Sequence, residues 1–331
     1  MTRLETKGMT VQYGQGRRGL TAVDAVDLTV PVSGTLGLVG ESGCGKSTLA
    51  RAIVGLAPMV SGQILLDGVD QSSQRQREAR QYRRRVQMIF QDPYSSLNPR
   101  MTVADMMLEA LSIRGMKANS SERLKEAARI LDLVGMSGLS LHRFPHQFSG
   151  GQRQRIAIAR ALAVGPEVII SDEVTSALDV SVQATILNLL KELQREFGLS
   201  YLFISHDLSV VRYISDHVAV MYLGQVVESA PVDELFARPR HPYTRALIAS
   251  IPHLSGKKQS APLAGDLPDP RTPPSGCRFH TRCPVGPLAY PERSICIEQD
   301  PQLIAREETH RAACHFAGSG QRKLDHAGIG N

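Results

Sequence analysis

Apolar residues along this chain recur in two periods, and the change from one to the other lays out the fold. Residues 4–13 and 22–30 carry apolar positions spaced for strands, among them Val23, Val26, Leu28 and Val30, as expected for half-buried β structure. Thr35-Leu36-Gly37-Leu38-Val39 is a short apolar run that enters a glycine-rich turn, and Ser47 onward reads as helix. Ser61 to Gly68 predicts another strand and turn, and Val86 to Phe90 a buried strand ending at Gln91. Across 101–139 the period changes: Leu124, Ala127, Ile130, Leu131 and Val134 fall at helical spacing. A helical subdomain, inserted at about 92–150, is expected there. Helix resumes after Gly150. Two fully apolar strands follow: Val168-Ile169-Ile170, ending at Ser171-Asp172-Glu173, and Tyr201-Leu202-Phe203-Ile204, ending at Ser205-His206-Asp207. Uniformly apolar strands alternating with helices are buried on both faces. They predict an α/β fold with a mostly parallel sheet core, behind an N-terminal antiparallel β subdomain.

Near residue 250 the composition shifts. Pro262, Pro268, Pro270, Pro273 and Pro274 mark an irregular linker, and beyond it lies a small extension with four of the five cysteines. The expected organisation is therefore a large domain over 1–250, a linker and cysteine-containing extension over 251–317, and a disordered tail over 318–331. The 331 residues, 42% of them hydrophobic, are enough for a substantial core. The N-terminus has no apolar leader, and no apolar stretch reaches the roughly 18–20 residues that cross a bilayer. A cytosolic protein, or one on the cytoplasmic face of a membrane, is expected. The net charge of +6 is partly local, with Arg75, Arg77, Arg80, Arg83, Arg84 and Arg85 crowding one segment. A solvated helix face accounts for such a run, with proximity to anionic headgroups the functional alternative. No aromatic interleaving or zinc-finger spacing points to nucleic acid.

Gly40-Glu41-Ser42-Gly43-Cys44-Gly45-Lys46-Ser47-Thr48 fits G-x-x-x-x-G-K-[ST] between a strand and a helix, the context a phosphate-binding loop requires. Backbone N–H groups there can surround β- and γ-phosphates. Lys46 supplies a cation, the Ser47 hydroxyl can ligate Mg²⁺, and Cys44 contributes its backbone rather than its thiol. Asp172, closing an apolar strand, is placed to hold Mg²⁺ with Ser47. Glu173 beside it is the candidate general base. Ser205-His206-Asp207 is not a hydrolase triad, because adjacent residues cannot supply that geometry.

Phe148-Ser149-Gly150-Gly151-Gln152-Arg153-Gln154-Arg155, downstream of the phosphate loop, resembles the signature stretch of ATP-binding-cassette (ABC) ATPases. The resemblance implies an ABC-type P-loop ATPase that binds ATP with Mg²⁺. It implies that Gln91 is the Q-loop residue reaching Mg²⁺ and the attacking water, that His206 is the switch histidine, and that Tyr13 stacks on adenine. It further implies that Ser149, Gly150, Gly151 and Gln152 close over nucleotide held by a partner subunit. Ser176, Ala177, Leu178 and Asp179 match the D-loop along that interface. One departure is Val174, where many members have Pro. It leaves the carboxylates intact.

Three stretches resemble the ATPases of bacterial dipeptide and oligopeptide importers: Gln91 to Arg100, Ser176 to Ala184, and His241-Pro242-Tyr243-Thr244-Arg245-Ala246-Leu247. That likeness, covering residues 4–316, implies a second ABC ATPase subunit, a paralogue, as partner. It also implies two transmembrane permease subunits and an extracellular substrate-binding protein. Nickel, glutathione, opines or another solute are alternative cargoes, and a soluble ABC protein of DNA repair or translation is the rival class. Cys277, Cys283, Cys296 and Cys314 are separated by five, twelve and seventeen residues, without the C-x₂₋₄-C pair of zinc sites. Peptide-importer ATPases have a similar quartet, so a 4Fe-4S cluster is the leading expectation. Zinc or unligated thiols are the alternatives. His280 and His315 adjoin cysteines but are not expected to be ligands.

Overall fold

A computed structural model describes residues 2–14, 19–72, 76–176, 178–251, 265–307 and 309–317. The expected tail at 318–331, Pro262 of the linker, Arg75 of the basic run and Ala177 lie outside the described residues.

Strands β1 (Thr2–Tyr13) and β2 (Leu20–Pro31) pair antiparallel. After β3 (Thr35–Val39) and α1 (Lys46–Ile53), strands β4 (Met59–Leu66) and β5 (Val69–Asp70) complete a four-stranded antiparallel sheet in the order β2-β1-β4-β5. Helix α2 (Gln76–Arg85) leads into β6 (Val86–Ile89). Arg85, at its end, pairs with Asp67 and Glu167, so the basic run is not wholly a solvated face.

Next come α3 (Pro93–Ser96), α4 (Val103–Arg114) and α5 (Ser120–Leu133). The helical span read across 101–139 is two helices. Gly115 ends α4 in a left-handed conformation, φ 84°, and Asn119 caps α5 by accepting from the Glu122 N–H. Then follow α6 (Gly150–Ala163), β7 (Val168–Asp172), α7 (Val180–Phe197), β8 (Ser200–Ile204), α8 (Leu208–Ile214), β9 (His217–Tyr222) and β10 (Gln225–Pro231). The chain continues with α9 (Val232–Ala237), α10 (Pro242–Ala249), α11 (Ile295–Glu298), β11 (Ile304–Glu307) and β12 (His310–Ala312).

The main sheet has the order β11-β12-β10-β9-β3-β8-β7-β6. Its segment from β9 to β6 is parallel; β10, β12 and β11 join antiparallel. Alternation divides the buried strands between two cores. Ile169, Tyr201 and Phe203 face the core built with α4 to α8, while Ile170, Leu202 and Ile204 face α1 and the antiparallel sheet. Every residue of β3, β7 and β8 is buried, which explains why their sequences do not alternate.

The cysteine-bearing extension builds onto this sheet: Glu228 of β10 is registered with Ala312 of β12. Fully buried Glu228 accepts from His310 Nε2 at 2.7 Å and from the backbone N–H groups of Arg240 at 2.6 Å and His241 at 2.9 Å. Burial favours its neutral form, but these donors outweigh that and hold its pKa below the usual carboxylate range. Phe279 anchors the extension further, packing edge-on against Tyr222 at 5.3 Å and tilted against Tyr243 at 5.4 Å.

Candidate active site

The C-terminal ends of β3 and β7 and the segment after β6 converge on one cavity of about 240 Å³. Tyr13 and Ala22 wall one side, and Ser42, Gly43, Gly45, Lys46, Ser47 and Thr48 form the floor. Gln91 and Glu173 face them. Two glycines of the loop serve different ends. Gly45 has φ 108°, and a Cβ there would lie 2.2 Å from the Ala22 carbonyl oxygen, so close packing on β2 forbids a side chain. At Gly43, φ 81°, a Cβ would meet open space, so its glycine answers to backbone conformation alone.

Lys46, at the start of α1, is buried, and its Nζ donates to the Gly40 and Glu41 carbonyls at 2.8 and 2.9 Å. Cys44 is also buried, its Sγ 3.7 Å from that Nζ. Desolvation outweighs the cation and pushes the thiol pKa up. Ser47 Oγ donates to Asp172 Oδ1 at 2.9 Å, which brings together the two side chains expected to share Mg²⁺. Burial raises the Asp172 pKa, opposed by the Ser47 hydrogen bond and reinforced by the Glu173 charge.

Glu173 follows β7 with φ 48°, a left-handed conformation unusual for a residue with a side chain. Its N–H donates to the Ile204 carbonyl at 3.0 Å, and its own carbonyl accepts from Ser176 N–H at 3.1 Å and Ser176 Oγ at 2.9 Å. Held this way, the carboxylate points at two expected partners. Gln91 Nε2 donates to Oε2 at 2.8 Å, and His206 Nδ1 lies 3.3 Å from Oε1. A strained backbone fixed by neighbours at a reactive carboxylate is typical of positions where geometry matters more than stability. Ser205 and Asp207 are occupied locally: Ser205 Oγ accepts from the Asp207 N–H, and Asp207 caps α8.

Ser149, Gly150, Gly151 and Gln152 do not line this cavity. Ser149 caps α6: its Oγ accepts from the Gln152 N–H, while Gln152 Oε1 accepts from the Ser149 N–H. A Cβ on Gly150 would sit 3.8 Å from Leu178, and one on Gly151 2.6 Å from Val182, so signature and D-loop segments abut. Asp179 caps α7, accepting from the Val182 N–H at 2.9 Å and Ser181 Oγ at 2.7 Å. The segment after Gln91 rests on α6: Arg153 lies 4.5 Å over the Tyr94 ring, and Arg160 donates to the Ser96 carbonyl at 2.7 Å. Sequence reading missed Glu41, Tyr243 and Arg282, which meet behind the loop. Glu41 occupies an unspecified position of the motif, so nothing local marks it.

Cys277, Cys283, Cys296 and Cys314 line a second cavity of about 10 Å³ with Phe279. All are free thiols. Burial pushes Cys277 up to about 12 and Cys283 up to about 11, and raises Cys296 and Cys314 as well. Among the described residues no group of three or more His, Cys, Asp or Glu side chains is placed to hold a metal ion. The four expected iron–sulfur ligands therefore share a cavity without forming a single-ion site. His280 Nδ1 and His315 Nε2 meet the Cys277 and Gln299 carbonyls, each at 2.9 Å.

The ABC transporter family profile matches residues 23–176, and the oligopeptide/dipeptide transporter C-terminal region matches 227–286. Oligopeptide transport ATP-binding protein AppF of Bacillus subtilis is 49% identical over 89% of this chain and 89% of its own. The chain belongs to the ABC transporter ATPase family. YkfD of Bacillus subtilis is 46% identical over 97% of both chains. Among solved ABC structures, the dimeric ATP-binding cassette MJ0796 bound to ADP and Pi aligns with TM-score 0.63 and 29% identity, covering 69% of this chain and 98% of the cassette. No described helix of this ABC ATPase is long and apolar enough to cross a membrane.

Proposed function

We propose that this chain is the ATP-hydrolysing subunit of a peptide importer. The observation that carries the catalytic reading is the Glu173 carboxylate, bracketed by Gln91 and His206 at the mouth of the phosphate-loop cavity. In this reading the backbone N–H groups of residues 43–48 and Lys46 hold the β- and γ-phosphates, and Tyr13 stacks on adenine. Ser47, Asp172 and Gln91 hold Mg²⁺, His206 contacts the γ-phosphate, and Glu173 takes a proton from the attacking water.

Ser149, Gly150, Gly151 and Gln152 act in trans on nucleotide bound by a paralogous ABC subunit, with the D-loop beside them. Their place outside the chain's own cavity supports that division. Residues 1–250, with the helical insertion at about 92–150, form the ATPase unit, and 251–317 the extension. Two transmembrane permease subunits and an extracellular substrate-binding protein complete the transporter, with this chain at the cytoplasmic face. The name of AppF and the match to the oligopeptide/dipeptide transporter region support peptide as cargo.

Four buried thiols around one cavity suit a 4Fe-4S cluster, whose irons occupy separate corners. A tetrahedral zinc would draw the four sulfurs to about 3.8 Å from one another at its 2.3 Å bond length. When bound, the cluster would supply a structural cross-link between the segments around 277–283, 296 and 314. Uptake of labelled di- and oligopeptides by a strain lacking this gene, complemented with wild type or Glu173→Gln, tests the function. Restoration by wild type alone supports it; unchanged uptake in the deletion strain moves the cargo to another solute.

A further inference from the structure

Glu41 is fixed from three directions. Its N–H donates to Tyr243 Oη at 2.9 Å, its carbonyl receives Lys46 Nζ at 2.9 Å, and its carboxylate is gripped by Arg282. The grip is bidentate, with Arg282 Nη1 and Nη2 at 2.8 and 3.2 Å from Oε2 and Oε1. Arg282 is only 7% exposed, and its guanidinium also reaches Tyr222 Oη at 3.5 Å. Arg282 comes from the cysteine-bearing extension, far in sequence from the loop it touches. A surface ion pair contributes little, but a buried forked one imposes geometry as well as charge. Here that geometry falls on the backbone carrying the Lys46 contact and opening the phosphate loop.

We propose that Arg282 is a positioning residue for nucleotide binding: through Glu41 it holds the phosphate loop in its receptive shape, so the extension forms part of the nucleotide site's support. The inference rests on reading that cavity as the ATP site. Without the grip, the loop samples other shapes, and apparent affinity falls in proportion to the receptive fraction that remains.

The experiment titrates the purified full-length protein with a fluorescent ATP analogue and measures ATP turnover in parallel. Arg282→Ala is expected to weaken binding and raise the KM for ATP about tenfold, as when the receptive fraction falls to about a tenth, with kcat within about twofold. Arg282→Lys keeps the charge without the fork and is expected to fall between. Glu41→Gln should match Arg282→Ala, and the double variant should be no worse than either single one, because the two residues act as one unit. Arg293→Ala is the control. Arg293 donates to the Val285 carbonyl and stacks on Tyr290 and Phe316 within the extension, so its loss should leave ATP affinity unchanged. Wild-type affinity in a folded Arg282→Ala, additive losses in the double variant, or an equal loss in Arg293→Ala would each overturn the proposal. Failure of the wild type to bind the analogue would instead remove the ATP-site reading on which it rests.

Discussion

Replacing Glu173 by Gln removes one proton-accepting group and leaves its surroundings intact. The amide oxygen can accept from Gln91 Nε2, now 2.8 Å from Oε2. The amide NH₂ can donate to His206 Nδ1, now 3.3 Å from Oε1, when the imidazole proton sits on Nε2. Both neighbours remain satisfied, so the cavity keeps its shape and ATP affinity should change by less than about twofold. Loss of a positioned base should slow turnover about 10²–10⁴-fold, which corresponds to about 3–5 kcal/mol on the barrier. Phosphate release at saturating Mg·ATP, read beside a nucleotide-binding titration, separates the two effects. Turnover within about fivefold of wild type would refute the assignment. The backbone at 173 gives an independent reading. Its φ of 48° is costly for any residue with a Cβ. Glu173→Gly should therefore be more stable to denaturant than Glu173→Ala by about 0.5–1 kcal/mol, once glycine's greater unfolded freedom is deducted. Equal stabilities would mean that the backbone is not strained there.

Two further expectations concern the C-terminal part of the chain. Burial, despite the nearby Glu228 carboxylate, depresses the His241 pKa to about 4 from its ordinary 6.5. The folded protein thus holds this imidazole neutral while the unfolded chain protonates it. Stability is full above pH 6.5 and falls as pH drops toward 4, by about 2 kcal/mol between pH 7 and pH 5 from this group. His241→Asn, which can still cap α10, should flatten denaturation midpoints over that range, and an unchanged slope would contradict the shift. Anaerobic purification should yield about four irons and matching sulfide per chain, lost in Cys296→Ser. About one zinc and no iron would replace the cluster with a mononuclear site.

Much of the ATPase site was legible because its parts are local. The phosphate loop, Asp172-Glu173 and His206 each sit at the end of an apolar strand. A parallel sheet brings such ends to one edge. What the sequence could not carry was contact between distant segments. Ile169 and Ile170 are equally apolar, yet they face different cores, a division visible only once both faces are covered. The composition shift near 250 marks a real change in chain character, but β12 pairs with β10 across it, because three residues of an edge strand leave no periodic pattern. The Glu41–Arg282 pair has no local signature for the same reason. Gly115, by contrast, was a readable break inside the helical span: a glycine in a left-handed cap ends a helix whatever the apolar period continues to do.

ATP turnover and peptide accumulation measured together, in proteoliposomes containing the complete transporter and its extracellular binding protein, test the transport function most directly. Wild-type protein should accumulate labelled peptide in step with ATP hydrolysed, and Glu173→Gln should do neither while still binding ATP. Sustained hydrolysis with no accumulation of any di- or oligopeptide would contradict peptide import as the work this ATPase performs.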